Sequence, residues 1–152
     1  MAGWTNRGKY RMLAGWFRAG TTPTAFYLFL ATSATAPTAD INTKSELTEI
    51  ADTNGYTAGG ISVARNSTDF DVLTEDDGND RALVQLKDEV WTASGGNIPA
   101  SGNGARYAIL TDDNATAGSR DVLHYWDLSS DRVVSDTQTL TLQNCEIRIN
   151  ES

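Results

Sequence analysis

The chain has 152 residues, 39% hydrophobic and 21% charged, the composition of one soluble globular domain with a single buried core. One cysteine, Cys145, excludes an intrachain disulfide and a multi-cysteine metal site, and one histidine, His124, excludes a two-histidine metal site. The net charge of −8 argues against nucleic-acid binding by the whole surface, and the longest apolar run, 25–31, is too short to span a bilayer.

The charge is unevenly spread. The first acidic residue is Asp40, so residues 1–39 carry Arg7, Lys9, Arg11 and Arg18 unopposed, a net +4, while the remainder carries a net −12. A basic arm on an acidic body can dock on an acidic neighbour, the next copy of itself included, or fold back on its own body. The same cations break up the apolar segment that a secretory signal would need. Within the arm, WTNRGKYRMLAGWFRAG has helical character, with Tyr10, Leu13 and Phe17 at i, i+3 and i+7 and Gly20 placed to end the helix. Gly8 and Gly15 weaken that helix by about 1 kcal/mol each. Its aromatic side chains must pack on the body or on a partner. Aromatic and arginine side chains anchor interfaces, so Trp4, Arg7, Lys9, Tyr10, Arg11, Trp16, Phe17 and Arg18 are the candidate interface residues. The arm is assigned to 1–22 and the body to 23–152.

After Pro23 the period changes. AFYLFLAT is β-rich and apolar on both sides, as in a strand covered on both faces or an interface strand. SATAPTADINT reads as a loop, and TKSELTEIAD as a short helix with Leu47 and Ile50 on one face and Asn54-Gly55 as its stop. Strands follow at TAGGISVARN, DFDVLT and ALVQLKDEVWTA, then a glycine-rich connection, SGGNIPASGNGA. RYAILT and DVLHYWDL are strands on either side of a turn-rich DDNATAGSR. In QTLTLQNCEIRINE, Leu140 and Leu142 are even-numbered while Cys145, Ile147 and Ile149 are odd, so the inward face changes parity at Gln143-Asn144, as at a bulge or tight turn. About eight short strands with Gly/Asn/Asp turns predict a mainly β protein: a single-domain antiparallel β-sandwich or jelly roll with one short helix and an N-terminal arm. YLFLATSATAPTAD and YAILTDDNATAGSRD form a weak internal echo.

The chemistry is sparse. TEDDGNDR, residues 74–81, is rich in carboxylates. Aligning Gly78 with the invariant glycine of a helix–loop–helix calcium loop leaves Leu73 and Val84 at the end ligand positions, so that motif is absent. Asp77-Gly78 between two strands is a hairpin turn. Asn66 and Asn114 begin Asn-x-Ser/Thr triplets and read as turn chemistry. No nucleophile elbow, phosphate loop or dinucleotide fingerprint occurs. His124 in VLHYWDL reads as a strand histidine packed on aromatics, and a hydrolase built on it and a nearby aspartate is the least favoured reading. Cys145 reads as a small core residue. No cofactor or metal is expected, with an irregular calcium site on Asp76, Asp77, Asn79 or Asp80 as the minor alternative.

From Tyr27 to Thr32 and through Glu49, Ile50, Gly55, Tyr56, Gly59 and Gly60, the chain resembles a family of small tailed-bacteriophage virion proteins, in which a strand leads through a variable loop to an E-I---GY--GG segment and another strand. The stretch from VWTASGGNIPASGNGARYAILTDD to TLTLQNCEIRI resembles the second half of the same family. The resemblance implies a non-enzymatic β-sandwich virion protein, assembled in the bacterial host cytoplasm and carried on the particle. As a capsid decoration (cement) protein it would bind the major capsid protein or other virion proteins. Copies would form a homo-oligomer, a trimer favoured, with no nucleic-acid or membrane partner, and multivalency would offset a weak individual grip. The alternative is a tail or fibre module binding the host surface or other tail proteins through the loops at 74–80 and 94–104.

Overall fold

Ten strands, one α-helix and a few 3-10 turns make up the computed structural model, which describes residues 2–150. The fold is mainly β, antiparallel and β-sandwich-like. Strands β1 (Ala2–Trp4), β2 (Ala25–Ala31), β3 (Ile61–Ala64), β7 (Ala105–Thr111) and β8 (Val122–Arg132) form one sheet in the order β1-β8-β7-β2-β3. Strands β4 (Val72–Asp76), β5 (Arg81–Leu86) and β10 (Cys145–Asn150) form a second, and β6 (Glu89–Thr92) with β9 (Thr139–Leu142) a third.

The interior strand β2 is buried on both sides. Leu28 and Leu30 face the main core, with Trp91, Leu142, Cys145 and Ile147 opposite them. Phe29 and Ala31 point the other way, under Ile41 and Leu47 of the 37–50 segment. A strand buried on both faces needs no polar alternation, which is why AFYLFLA is a continuous apolar run. The two echo segments lie side by side here. Tyr27 pairs with Thr111, Phe29 with Ile109 and Ala31 with Tyr107, so a local twofold through Phe29–Ile109 relates them.

The parity change at Gln143-Asn144 has a structural counterpart on the partner strand. Cys145 pairs with Leu86 and Leu142 with Glu89, three residues back on one strand and three forward on the other, so one register runs through both small sheets. At the break, Asn144 adopts a left-handed φ of 55°. The inward residues switch from Leu86 to Trp91 on one strand as they switch from Cys145 to Leu140 on the other. A paired flip preserves the ladder while it bends the layer. ALVQLKDEVWTA is therefore two strands, where a single one was expected.

The helix expected at TKSELTEIAD is absent. Only a 3-10 turn at Lys44–Glu46 forms, and the chain then runs extended beside β2: Thr32 donates to Thr48 O and Ile50 to Leu30 O. Sheet pairing takes the backbone groups that a helix would have used. Leu47 and Ile50 are buried as expected, but on opposite faces of β2. The single α-helix lies instead in the N-terminal segment.

The E-I---GY--GG residues build a latch. The Glu49 carboxylate accepts hydrogen bonds from the Tyr56 hydroxyl (2.6 Å), the Gly59 amide (2.7 Å) and the Lys44 ammonium. The Tyr56 oxygen in turn accepts from the buried Leu30 amide (3.0 Å). Gly60 has φ +77°, and a Cβ there would stand 2.1 Å from Leu28 O. Tyr56→Phe is expected to strand the Leu30 N–H and to leave Glu49 Oε1 with the Gly59 amide as its one donor, costing about 1–3 kcal/mol. At about 2–4 °C per kcal/mol for a chain of this size, thermal unfolding reads this directly. An unchanged midpoint would mean that water replaces the hydroxyl.

Candidate functional site

The N-terminal segment is built onto the edge of the five-stranded sheet. Ala2, Gly3 and Trp4 pair with Trp126, Tyr125 and His124. Trp4 donates its indole N–H to Arg148 O (2.8 Å), and Trp126 donates to Glu146 O (3.0 Å), so two tryptophans tether β10 to the first sheet. Thr5 is fully buried and donates from its hydroxyl to Val122 O. Its oxygen also accepts from Gly8 N (2.9 Å), capping helix α1 (Asn6–Phe17). At the far end, Gly20 N–H donates to Ala14 O (2.9 Å), as expected of an ending residue, but the left-handed position is Ala19, φ 50°.

The helix sits on its small residues. Gly8 touches the backbone of Leu123 so closely that a Cβ would lie 2.2 Å from the carbonyl oxygen, and Ala14 and Gly15 are half-buried. Arg7 and Arg11 reach back to Asp121, which is buried; Arg7 Nε lies 3.4 Å from its carboxylate, and Arg11 Nε donates to it. That hydrogen bond holds the Arg11 guanidinium above its ordinary pKa. A buried carboxylate needs such cations, since an isolated ionised carboxylate is costly to desolvate.

The large apolar side chains point outward. Trp16 is 83% and Phe17 73% exposed, with Tyr10 and Leu13 more than half exposed beside them. Helices ordinarily turn their apolar stripe inward, and α1 does the reverse. The eight sequence-derived interface residues thus divide. Trp4, Arg7 and Arg11 bind the segment to its own body, while Lys9, Tyr10, Trp16, Phe17 and Arg18 stand on the outer surface. Leu13 and Met12 extend that surface. Asp121, the anchor, was not singled out from the sequence. Its partners are over a hundred residues away, and the only hint was a basic segment with no acid of its own.

The other candidates are placed structurally. His124 is 3% exposed, in ring contact with Trp4 and Trp126, and its Nδ1 has no hydrogen-bond partner; burial pushes its pKa down to about 4. Burial pushes the Cys145 thiol up to about 12. In the 74–81 hairpin, Asp76 accepts from Asn79 and from Arg81 (2.7 Å), and Asp80 supplies the left-handed turn position. Among the described residues no group of three or more His, Cys, Asp or Glu side chains is placed to hold a metal ion. Asn66 and Asn114 each accept backbone amides two residues on, as Asx-turns do. A cleft of about 480 Å³ is lined by Leu30, Leu128, Val134 and Leu140 among others, and no histidine, cysteine or carboxylate lines it.

The chain matches no family model, no curated protein and no solved structure.

Proposed function

We propose that the protein is a non-enzymatic structural component of a tailed-bacteriophage virion, a capsid decoration protein that grips the major capsid protein and neighbouring copies through α1. One observation carries the mechanical part of this reading: α1 buries Gly8 against the Leu123 backbone and presents Tyr10, Leu13, Trp16 and Phe17 to solvent. An exposed aromatic face of this kind marks an interaction site. The virion assignment rests on the resemblance of residues 27–60 and of the second half to phage virion proteins. The motif that carries this resemblance is a structural latch, which suits a protein whose work is to hold shape.

Removing the whole arm is a poor test, because it strips an edge strand and exposes His124. The double variant Trp16→Ser/Phe17→Ser leaves β1, Thr5 and Asp121 intact. It is expected to keep wild-type stability within about 0.5 kcal/mol, as surface substitutions do. Its occupancy on phage heads lacking the protein should fall at least tenfold in co-sedimentation. Full occupancy of the heads by the variant, or location of the labelled protein at the tail, would overturn the decoration reading.

A further inference from the structure

The three-stranded sheet overhangs the core. Ile147 pairs with Val84 and Val84 with Leu73, so all three project from the same face, the face that Cys145 and Leu86 bury. Towards the hairpin that cover runs out: Leu73 is 82% and Ile149 50% exposed, and Ala82 between their strands is exposed as well. The inner face of the tip therefore carries Leu73, Ala82 and Ile149, with Glu75 opposite Ala82 on the same face, and none of the described residues buries it. Carboxylates surround it. Asp71, Glu75, Asp77 and Asp80 are exposed, and among the described residues none of them has an ion-pair partner.

The outer face of α1 is its complement. It offers Leu13, Trp16 and Phe17 as apolar matter, flanked by Lys9 and Arg18, which also lack carboxylate partners among the described residues. Apolar surface ringed by cations meets apolar surface ringed by anions, on one and the same chain. We propose that the outward face of α1 seats on the overhanging tip of the β4-β5-β10 sheet of a second copy. The two surfaces are different patches, so the contact is heterologous: each copy offers a helix to one neighbour and a tip to another. Such contacts close into a ring when the rotation between copies permits. The inference rests on the reading of α1 as the gripping face and commits it to a copy of this chain.

Charge exchange tests the contact. One full-length variant carries Lys9→Glu and Arg18→Glu; the other carries Glu75→Lys and Asp77→Lys. The wild type is expected to self-associate in analytical ultracentrifugation at low salt, and each variant alone to do so at least tenfold more weakly. An equal mixture should recover association, because each acidic helix then meets a basic tip and each basic helix an acidic one. Leu73→Asp should weaken self-association to the same degree. A monomeric wild type, undiminished association of the tip variant alone, or a mixture no stronger than its components overturns the inference. The two readings fail separately. Loss of head occupancy on Trp16→Ser/Phe17→Ser in a protein that stays monomeric keeps the capsid grip and rejects the self-contact. Self-association that depends on Leu73, with heads still fully occupied by the Trp16/Phe17 variant, does the reverse.

Discussion

Gly8→Ala is expected to loosen the N-terminal segment and lower the stability of the whole chain, whereas Gly15→Ala in the same helix is expected to raise it. Intrinsic propensity favours alanine by about 1 kcal/mol at either position. At Gly8 a Cβ would stand 2.2 Å from Leu123 O and under 3.0 Å from two further Leu123 backbone atoms, all in a strand that cannot yield. The helix must lift, and with it go the buried Thr5 hydrogen bonds and the two ion pairs to Asp121. Overpacking of this kind costs about 1–3 kcal/mol, which exceeds the propensity gain. At Gly15 the only close atom is the Thr22 methyl, at 2.7 Å, on an exposed side chain that can turn away at the cost of one solvent-exposed hydrogen bond from Arg65. Thermal midpoints decide the stability difference, and limited proteolysis between residues 5 and 20 shows whether the helix has come off. Equal effects of the two substitutions would mean that α1 does not dock through Gly8.

The contrast shows what the sequence could reveal about this helix. Its existence was legible in the spacing of Tyr10, Leu13 and Phe17 and in Gly20 beyond them. Its orientation was not. Spacing defines an apolar face without saying whether that face is covered, and two glycines read as weak helix formers when one of them is the contact surface. Elsewhere the pattern was a good guide wherever both sheet faces were buried, as in β2, or where the parity of inward residues changed, as at Gln143-Asn144. The matching change at Lys87-Asp88 went unread because Leu83 and Val84 are both apolar and blur the alternation. TKSELTEIAD misled because Leu47 and Ile50 fit one helical face as well as they fit an extended strand that crosses from one core to the other. That choice depends on β2, which offers its edge groups to residues 48–50, and no local pattern records it.

Acidification from about pH 6.5 to pH 4 is expected to remove about 3 kcal/mol of stability through His124 alone. In the unfolded chain the imidazole takes up a proton near its ordinary value of about 6.5; in the folded protein burial holds it neutral down to about 4. Between those values the unfolded state binds more protons, so stability rises with pH and falls as pH is lowered, with no further loss from this group below pH 4. Among the described residues no carboxylate is hydrogen-bonded or ion-paired to the ring to soften this. Its neighbours are Trp4, Tyr125 and Trp126, its Nδ1 is unpartnered, and Arg148 and Glu146 nearby are paired with each other. Two carboxylates act in the opposite sense. Burial raises Asp112 and Glu89, so protonating them above the ordinary carboxylate range favours the folded state on acidification. Asp69 and Asp113, lowered chiefly by Lys87 and by Thr24, contribute losses only at lower pH, as their partners are lost. His124→Phe separates these effects, because it fills the site between the tryptophans and cannot titrate. Stability of the wild type should drop relative to the variant across pH 6.5 to 4 and run parallel to it below. Parallel curves over the whole range would show that the imidazole is solvated, and that the N-terminal edge of the sheet opens readily enough to let water reach it.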